Sequence, residues 1–173
     1  LTPRFVTAID RAIRLCEDTL KYGKAGVEKP VLSPVDVNQV MDEVAISLGI
    51  SDLENVDFNN EIPQAFTIEA DGDQIFRTFL NLCRNALQAI KGKGEITITA
   101  RRDRQQNIID IMDNGPGIPD RIRATLFQPF HHSGNGGSGL GLAISKELLE
   151  AHGGTIELVT SDKNGTHFRI TLP

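Results

Sequence analysis

The chain has 173 residues and 18.9 kDa, with 39% hydrophobic and 24% charged side chains, which excludes a disordered, collagen-like or rod-like protein and predicts one dominant core. Eighteen Lys and Arg against 23 Asp and Glu give a net charge of −5 and a pI near 5.3, so neither nucleic acid nor an anionic membrane surface is an expected partner. No apolar run approaches the roughly 18 residues of a membrane-spanning helix and no signal-peptide layout opens the chain; with Cys16 and Cys83 set in apolar helical patterns, a soluble segment in a reducing compartment is expected.

Thr2 and Pro3 read as an N-cap followed by proline at the first helical position, and Phe5, Ile9, Ala12, Ile13, Cys16 and Leu20 recur at spacings of three and four. This predicts a long amphipathic helix to about Tyr22, then a linker to Pro30, so that residues 1–30 form one unit and 31–173 a folded domain. The helix stripe needs a partner: an absent upstream segment, another copy of the chain, or the domain behind it. Residues 31–37 read as a strand, 38–48 as a helix, and 56–62 and 65–68 as strands. A second long helix starts at Asp71 or Gly72, shows an apolar face of Phe76, Phe79, Leu80, Cys83, Ala86, Leu87 and Ile90, and is stopped by Gly92 and Gly94. Ile96, Ile98 and Ala100 alternate with Thr97, Thr99 and Arg101, which predicts a hairpin with residues 108–112 around the polar stretch 102–107. A helix over about 140–152 and strands over 155–160 and 166–172 complete an α+β pattern, with helices on one face of a mixed, mostly antiparallel sheet.

Three stretches carry residues suited to chemistry. Asn81 and Asn85 lie four apart on one helix face, where asparagine is a mediocre helix former; either the face is merely solvated or an amide oxygen completes the coordination of Mg²⁺, a cation that prefers hard oxygen ligands. Asp113-Asn114-Gly115-Pro116-Gly117-Ile118-Pro119 contains strong turn signals. A hairpin would resume alternation afterwards, whereas a helical pattern follows, so close approach of backbone to a flat ligand, with Asp113 accepting from an exocyclic amine, accounts better for the two glycines. Residues 134–139 fit Gly-x-Gly-x-x-Gly but follow no strand, and no Lys-Ser/Thr pair completes a P-loop. Gly139 and Gly141 instead run straight into an apolar helix, whose free N–H groups and positive dipole end suit phosphate. A passive glycine linker is the alternative. His131 and His132 are adjacent and tend to diverge, which disfavours a two-histidine metal site.

In order and spacing these pieces resemble the catalytic, ATP-binding domain of sensor histidine kinases, within the superfamily that includes gyrase, heat-shock chaperone and mismatch-repair ATPases. Residues 81–86 look like the N box, 113–117 the first glycine box, 127–130 the F box and 137–141 the second glycine box. The resemblance covers roughly residues 34–172 and implies the two-layer α/β sandwich (Bergerat-type) of that superfamily, with the first helix as the second helix of a dimerisation hairpin. It implies that Asn85 holds Mg²⁺, Asn81 supports the phosphates, Asp113 binds the adenine amino group, and residues 119–137 form a lid over ATP. The wider set of nucleotide-contacting positions it suggests is Gly115, Gly117, Ile118, Phe130, His132, Gly137, Ser138, Gly139, Leu140, Gly141 and Thr166.

In the hydrolysing relatives a glutamate four residues before the metal-binding asparagine polarises water; here that position is Asn81, and an amide cannot accept a proton as a carboxylate can. The resemblance therefore implies a histidine kinase that passes the γ-phosphoryl of Mg-ATP to an imidazole, for relay to a response-regulator aspartate. The acceptor motif is absent from the sequence, and His131, His132, His152 and His167 lie elsewhere, so the acceptor is expected on an upstream helix of a homodimeric cytoplasmic parent that could itself be anchored in the inner membrane. Two departures reduce the positive charge facing the triphosphate: Gln88 replaces a lysine common in the family, and residues 127–138 hold neither Lys nor Arg; Arg84 or a protonated His132 would be the compensating cation. The alternatives are a chaperone- or topoisomerase-type hydrolase, a non-catalytic nucleotide-binding scaffold, and an anti-sigma-type serine kinase.

Overall fold

The structure, a computed structural model, describes residues 27–130 and 139–173 together with Val6, Ile9, Ala12, Ile13, Cys16, Glu17 and Leu20. Those seven positions are helical and exposed, in agreement with the predicted N-terminal helix. The remainder of that helix, including Thr2, Pro3 and Phe5, lies outside the described residues.

Seven strands follow: β1 (Ser33–Asp36), β2 (Val56–Glu61), β3 (Thr67–Ala70), β4 (Gly94–Asp103), β5 (Gln106–Asp113), β6 (Thr155–Asp162) and β7 (Gly165–Leu172). The helices are α1 (Val37–Ser47), α2 (Gly72–Ala89), the short α3 (Asp120–Arg123) and α4 (Gly141–Ala151), with a 3-10 turn at Ile50–Asp52. The main sheet runs β2-β4-β5-β7-β6, and only β2 and β4 pair in parallel. This is the mixed, mostly antiparallel sheet expected. One detail differs: β1 and β3 form a separate antiparallel ribbon rather than joining the sheet.

The alternation in β4 does what the period-two pattern requires: Ile96, Ile98 and Ala100 are buried under the helices while Thr97, Thr99 and Arg101 face the other way. Ile109, Ile111, Phe168 and Ile170 continue that layer across β5 and β7. Asp36 caps α1 and Asp71 caps α2, each accepting main-chain N–H groups that the first helical turn leaves without partners. The buried face of α2 is centred on Ile75, Thr78, Phe79, Leu82, Cys83 and Ala86; Phe76, Leu80 and Leu87, expected at its centre, are only partly buried. The face is turned because α2 meets the sheet on one side and α4 on another.

Val27 packs against Leu140, Ile144 and Leu148, the Gln74 amide donates to the Glu28 carbonyl at 2.9 Å, and Val31 N–H donates to Asp71 at 3.0 Å. The last residues of the expected linker are thus docked on the domain. On the face of the sheet away from the helices, buried Asp110 receives Arg169 at 2.7 Å, His167 at 2.7 Å and Arg101 at 3.1 Å. Burial pushes that carboxyl up, but the Arg169 and His167 contacts outweigh it and hold it below the usual carboxylate value of 3.8.

Candidate functional site

The predicted residues fall into two groups at opposite ends of one stripe on α2. At the first end, Asp113 closes β5, and Gly115 N–H turns back to donate to its carboxylate at 2.9 Å. Thr166 lies opposite Asp113 in the β5–β7 register. Burial pushes the half-buried Asp113 carboxyl above the ordinary 3.8, against the Gly115 and Thr166 N–H donors that favour its anion. Gly117 sits at φ +81°, and a Cβ there would be 2.1 Å from the Asp162 carbonyl oxygen, so only glycine fits. Gly165 is equally constrained, since an added Cβ would lie 1.9 Å from the Asp113 carbonyl oxygen.

Residues that sequence reasoning missed hold this turn. The Ser161 hydroxyl accepts Ile118 N–H at 2.6 Å and bonds the Thr166 hydroxyl at 3.1 Å. The Arg123 guanidinium donates to the carbonyls of Ser161 and Ile118 and pairs with Asp120 at 3.2 Å. Polar side chains at a strand end and a helix end carry no spacing signal, so the sequence could not have marked them.

At the other end, the Asn81 amide donates to the Gly141 carbonyl and the Ser145 hydroxyl, both at 3.3 Å, and the Ser145 hydroxyl donates to the same carbonyl at 2.8 Å. Asn81 therefore ties α2 to the first turn of α4. A Cβ on Gly141 would meet the Asn81 side chain at 3.6 Å, while one on Gly115 would meet the Ala89 side chain at 3.2 Å. Residues 81, 85 and 89 share one helix face at spacings of four, a span of about 12 Å. Asn85 thus lies between the two glycine segments, half-buried and with no hydrogen-bond partner among the described residues.

Other predicted positions fare differently. Leu140 is fully buried in a packed cluster with Ile144 and Leu148, so its side chain is structural and any contact with a ligand would be through main chain. Phe130 is 56% exposed at φ +63°, and its N–H donates to the Gly139 carbonyl at 3.0 Å, so residues 130 and 139 are held together. Within the predicted F box it is Phe127 that is anchored, edge-to-face on Phe168 with centroids 6.3 Å apart. Arg84 is half-buried beside Asn85 in sequence, and adjacent helical residues diverge by about 100°, so the two do not share a face. His131, His132, Gly137 and Ser138 lie outside the described residues.

No group of three or more His, Cys, Asp and Glu side chains among the described residues is placed to hold a metal. A cation on this stripe would rest on the free Asn85 amide oxygen together with oxygens of the ligand, a donor set that suits Mg²⁺. None of the helices described is long and apolar enough to cross a membrane.

Comparison with known proteins gives the same picture. Residues 70–173 match the family described as histidine kinase-, DNA gyrase B-, and HSP90-like ATPase. The sensory histidine kinase/phosphatase NtrB of Rhodobacter capsulatus is 31% identical over 190 residues, covering all of this chain and 52% of that protein, so the chain spans about half the length of that relative. Full-length ShkA, solved in complex with AMPPNP, superposes with a TM-score of 0.80 at 27% identity, over 98% of this chain and 38% of that one. The histidine kinase ThkA in complex with the response regulator TrrA superposes with a TM-score of 0.79 at 26% identity, over 97% of this chain and 48% of that one. The chain belongs to the histidine kinase-, DNA gyrase B- and HSP90-like ATPase family, and the relatives it resembles within that family are histidine kinases.

Proposed function

We propose that the chain is the ATP-binding catalytic part of a histidine kinase, with nucleotide lying along the α2 stripe from Asp113 to Gly141. The carrying observation is Asn85, an unpartnered amide held between two glycine segments that both abut its own helix. Asp113, held at the strand end, would accept a hydrogen bond from the adenine amino group, and Gly115 and Gly117 would let the base plane approach the backbone. The entry of α4 at Gly139–Gly141 offers phosphate a helix N-terminus. Asn85 would give its oxygen to Mg²⁺, which when bound neutralises phosphate charge. Further positive charge at the triphosphate would come from a protonated His132, or from Arg84 if its long side chain reaches round from the neighbouring helix face.

Asn81 is occupied in fixing α4 and, being an amide, takes no proton, so water has no base at this position. The γ-phosphoryl then passes to an imidazole nitrogen: the N–P bond forms as the bond to the β–γ bridging oxygen breaks, and ADP leaves with that electron pair. Within the described residues His152 is bonded to Asp71 N–H and the Leu148 carbonyl, and His167 to Asp110, which supports an acceptor from an upstream helix. The exposed Val6, Ile9, Ile13 and Leu20 (43–62%) support reading residues 1–30 as half of a dimerisation hairpin plus linker in a homodimeric parent, with residues 31–173 as the catalytic domain. A response-regulator aspartate would receive the phosphoryl, as the ThkA complex with its regulator suggests by analogy.

Incubating the chain with γ-labelled ATP, Mg²⁺ and a separately made hairpin bearing an acceptor histidine tests this. Acid-labile label on the hairpin is the expected result; free phosphate alone, acid-stable label or no transfer would refute it.

A further inference from the structure

The other pronounced feature of the molecule lies at the β2 edge of the sheet. Between α1, the 3-10 turn and β2 is an open groove of about 530 Å³ whose walls are Ile46, Ile50, Leu53, Val56 and Phe58. Ile46 is 76% exposed and Leu53 39%, so the apolar surface is uncovered. β2 pairs only with β4, which leaves its outer edge unpaired among the described residues. An uncovered apolar groove of this size is large enough to seat a bulky side chain.

Apart from Lys91 and Lys93, which flank the Gly92 carbonyl that takes the Asn55 amide beside one end of the groove, the charge around it is acidic. From Pro30 to Phe76 the sequence has ten carboxylates and no Lys, Arg or His, in a chain whose total is only −5. Asp57 and Glu95 line the groove, and Asp42, Asp52, Glu54 and Glu61 stand exposed around it. A second copy docking here by the same face would bring two acidic rows together and be repelled. A cationic partner would be steered in.

We propose that this groove docks a protein segment carrying Lys or Arg side chains on either side of an apolar anchor. The anchor enters between Ile46, Leu53 and Phe58, and the flanking cations meet Asp57, Glu54 and Glu95. The site also reaches the nucleotide turn: Glu95 N–H donates to the Asn114 side chain at 2.8 Å and Asn114 N–H to the Glu95 carbonyl at 3.2 Å, so an occupant leaning on Glu95 touches β4 at the residue that is hydrogen-bonded to Asn114, next after Asp113.

The test is an amide-resolved NMR titration of the full chain with three blocked peptides: Lys-Lys-Phe-Lys-Lys, Lys-Lys-Ser-Lys-Lys and Glu-Glu-Phe-Glu-Glu. The first is expected to shift residues 46–58 and Asn114, saturably and more weakly as salt rises, and the others to fail. Ile46→Lys with Asp57→Lys, both at exposed positions, should weaken binding about tenfold or more while leaving the melting temperature and ATP affinity unchanged. Equal binding of the serine or glutamate peptide, shifts that map elsewhere, unaltered binding by the double variant, or self-association that the double variant abolishes would each overturn the proposal. Because ATP affinity is read separately, loss of peptide binding and failure of the kinase assignment remain distinguishable.

Discussion

The two ends of the α2 stripe are built differently. At the Asp113 end the backbone is locked: Ser161, Arg123 and Thr166 tie the turn to β6 and β7, and Gly117 and Gly165 press against neighbouring main chain. At the Gly141 end, beside the apolar packing of the two helices, the Asn81 amide makes only long 3.3 Å hydrogen bonds, and Asn85 is left unpartnered among the described residues. A rigid end suits recognition of a flat, neutral base whose shape never changes, because the geometry is fixed before the ligand arrives. A loosely held end with an unused oxygen suits a charged group that arrives, reacts and leaves.

The largest effect expected is at the locked end. Gly117→Ala forces a methyl into the Asp162 carbonyl at a left-handed φ and should cost about 3 kcal/mol of stability, measured by urea unfolding; an unchanged midpoint would show that the turn is not locked. Asp113→Ala removes an ionised acceptor worth about 2 kcal/mol, so calorimetry should find ATP bound some tenfold or more weakly with the fold intact.

The same residue sets a pH test. Its folded carboxyl holds its proton above 3.8, so the stability it contributes is present below 3.8 and is lost as pH rises through the raised value. ATP affinity should move the opposite way over that window, growing as the carboxylate ionises, and Asp113→Asn should flatten both trends. Identical pH profiles for parent and variant would remove Asp113 from the binding account.

Ser161→Ala leaves Ile118 N–H and the Thr166 hydroxyl without their buried partner and should cost about 1.5 kcal/mol; a neutral result would place the lock elsewhere. The smallest effects sharpen the contrast between the asparagines. Asn81→Ala should lose about 1 kcal/mol of stability, whereas Asn85→Ala should stay within about 0.5 kcal/mol of the parent yet lose Mg²⁺-dependent ATP binding. If stability responded in the reverse order, the division between a structural and a binding amide would be wrong.

What the sequence revealed follows from what periodicity can encode. The β4–β5 hairpin was legible because Ile96, Ile98 and Ala100 must all be buried on one face, and α2 because its apolar residues recur at helical spacing. The stretch from Asp113 to Gly117 was legible because two glycines flanking a proline after a strand are costly without a reason. Ser161 and Arg123 were not, since Ser161 reaches Ile118 across 43 residues and Arg123 reaches Ser161 across 38, through hydrogen bonds that leave no pattern. The packing role of the Leu140 side chain was not legible, because its neighbours are glycines and the cluster it completes draws on Val27, more than a hundred residues earlier. The buried Asp110 hub was invisible for a similar reason: it forms only when β4, β5 and β7 lie side by side.

The central claim is that magnesium-chelated nucleotide spans the stripe from Asp113 to Gly141. Amide-resolved NMR with a non-hydrolysable ATP analogue, with and without Mg²⁺, addresses it directly. The account predicts shifts at Gly115, Gly117 and Ile118 on adding the analogue, with further shifts of Asn85 and its side-chain amide that require the metal. Perturbations confined to other surfaces, or none at millimolar analogue, would contradict it.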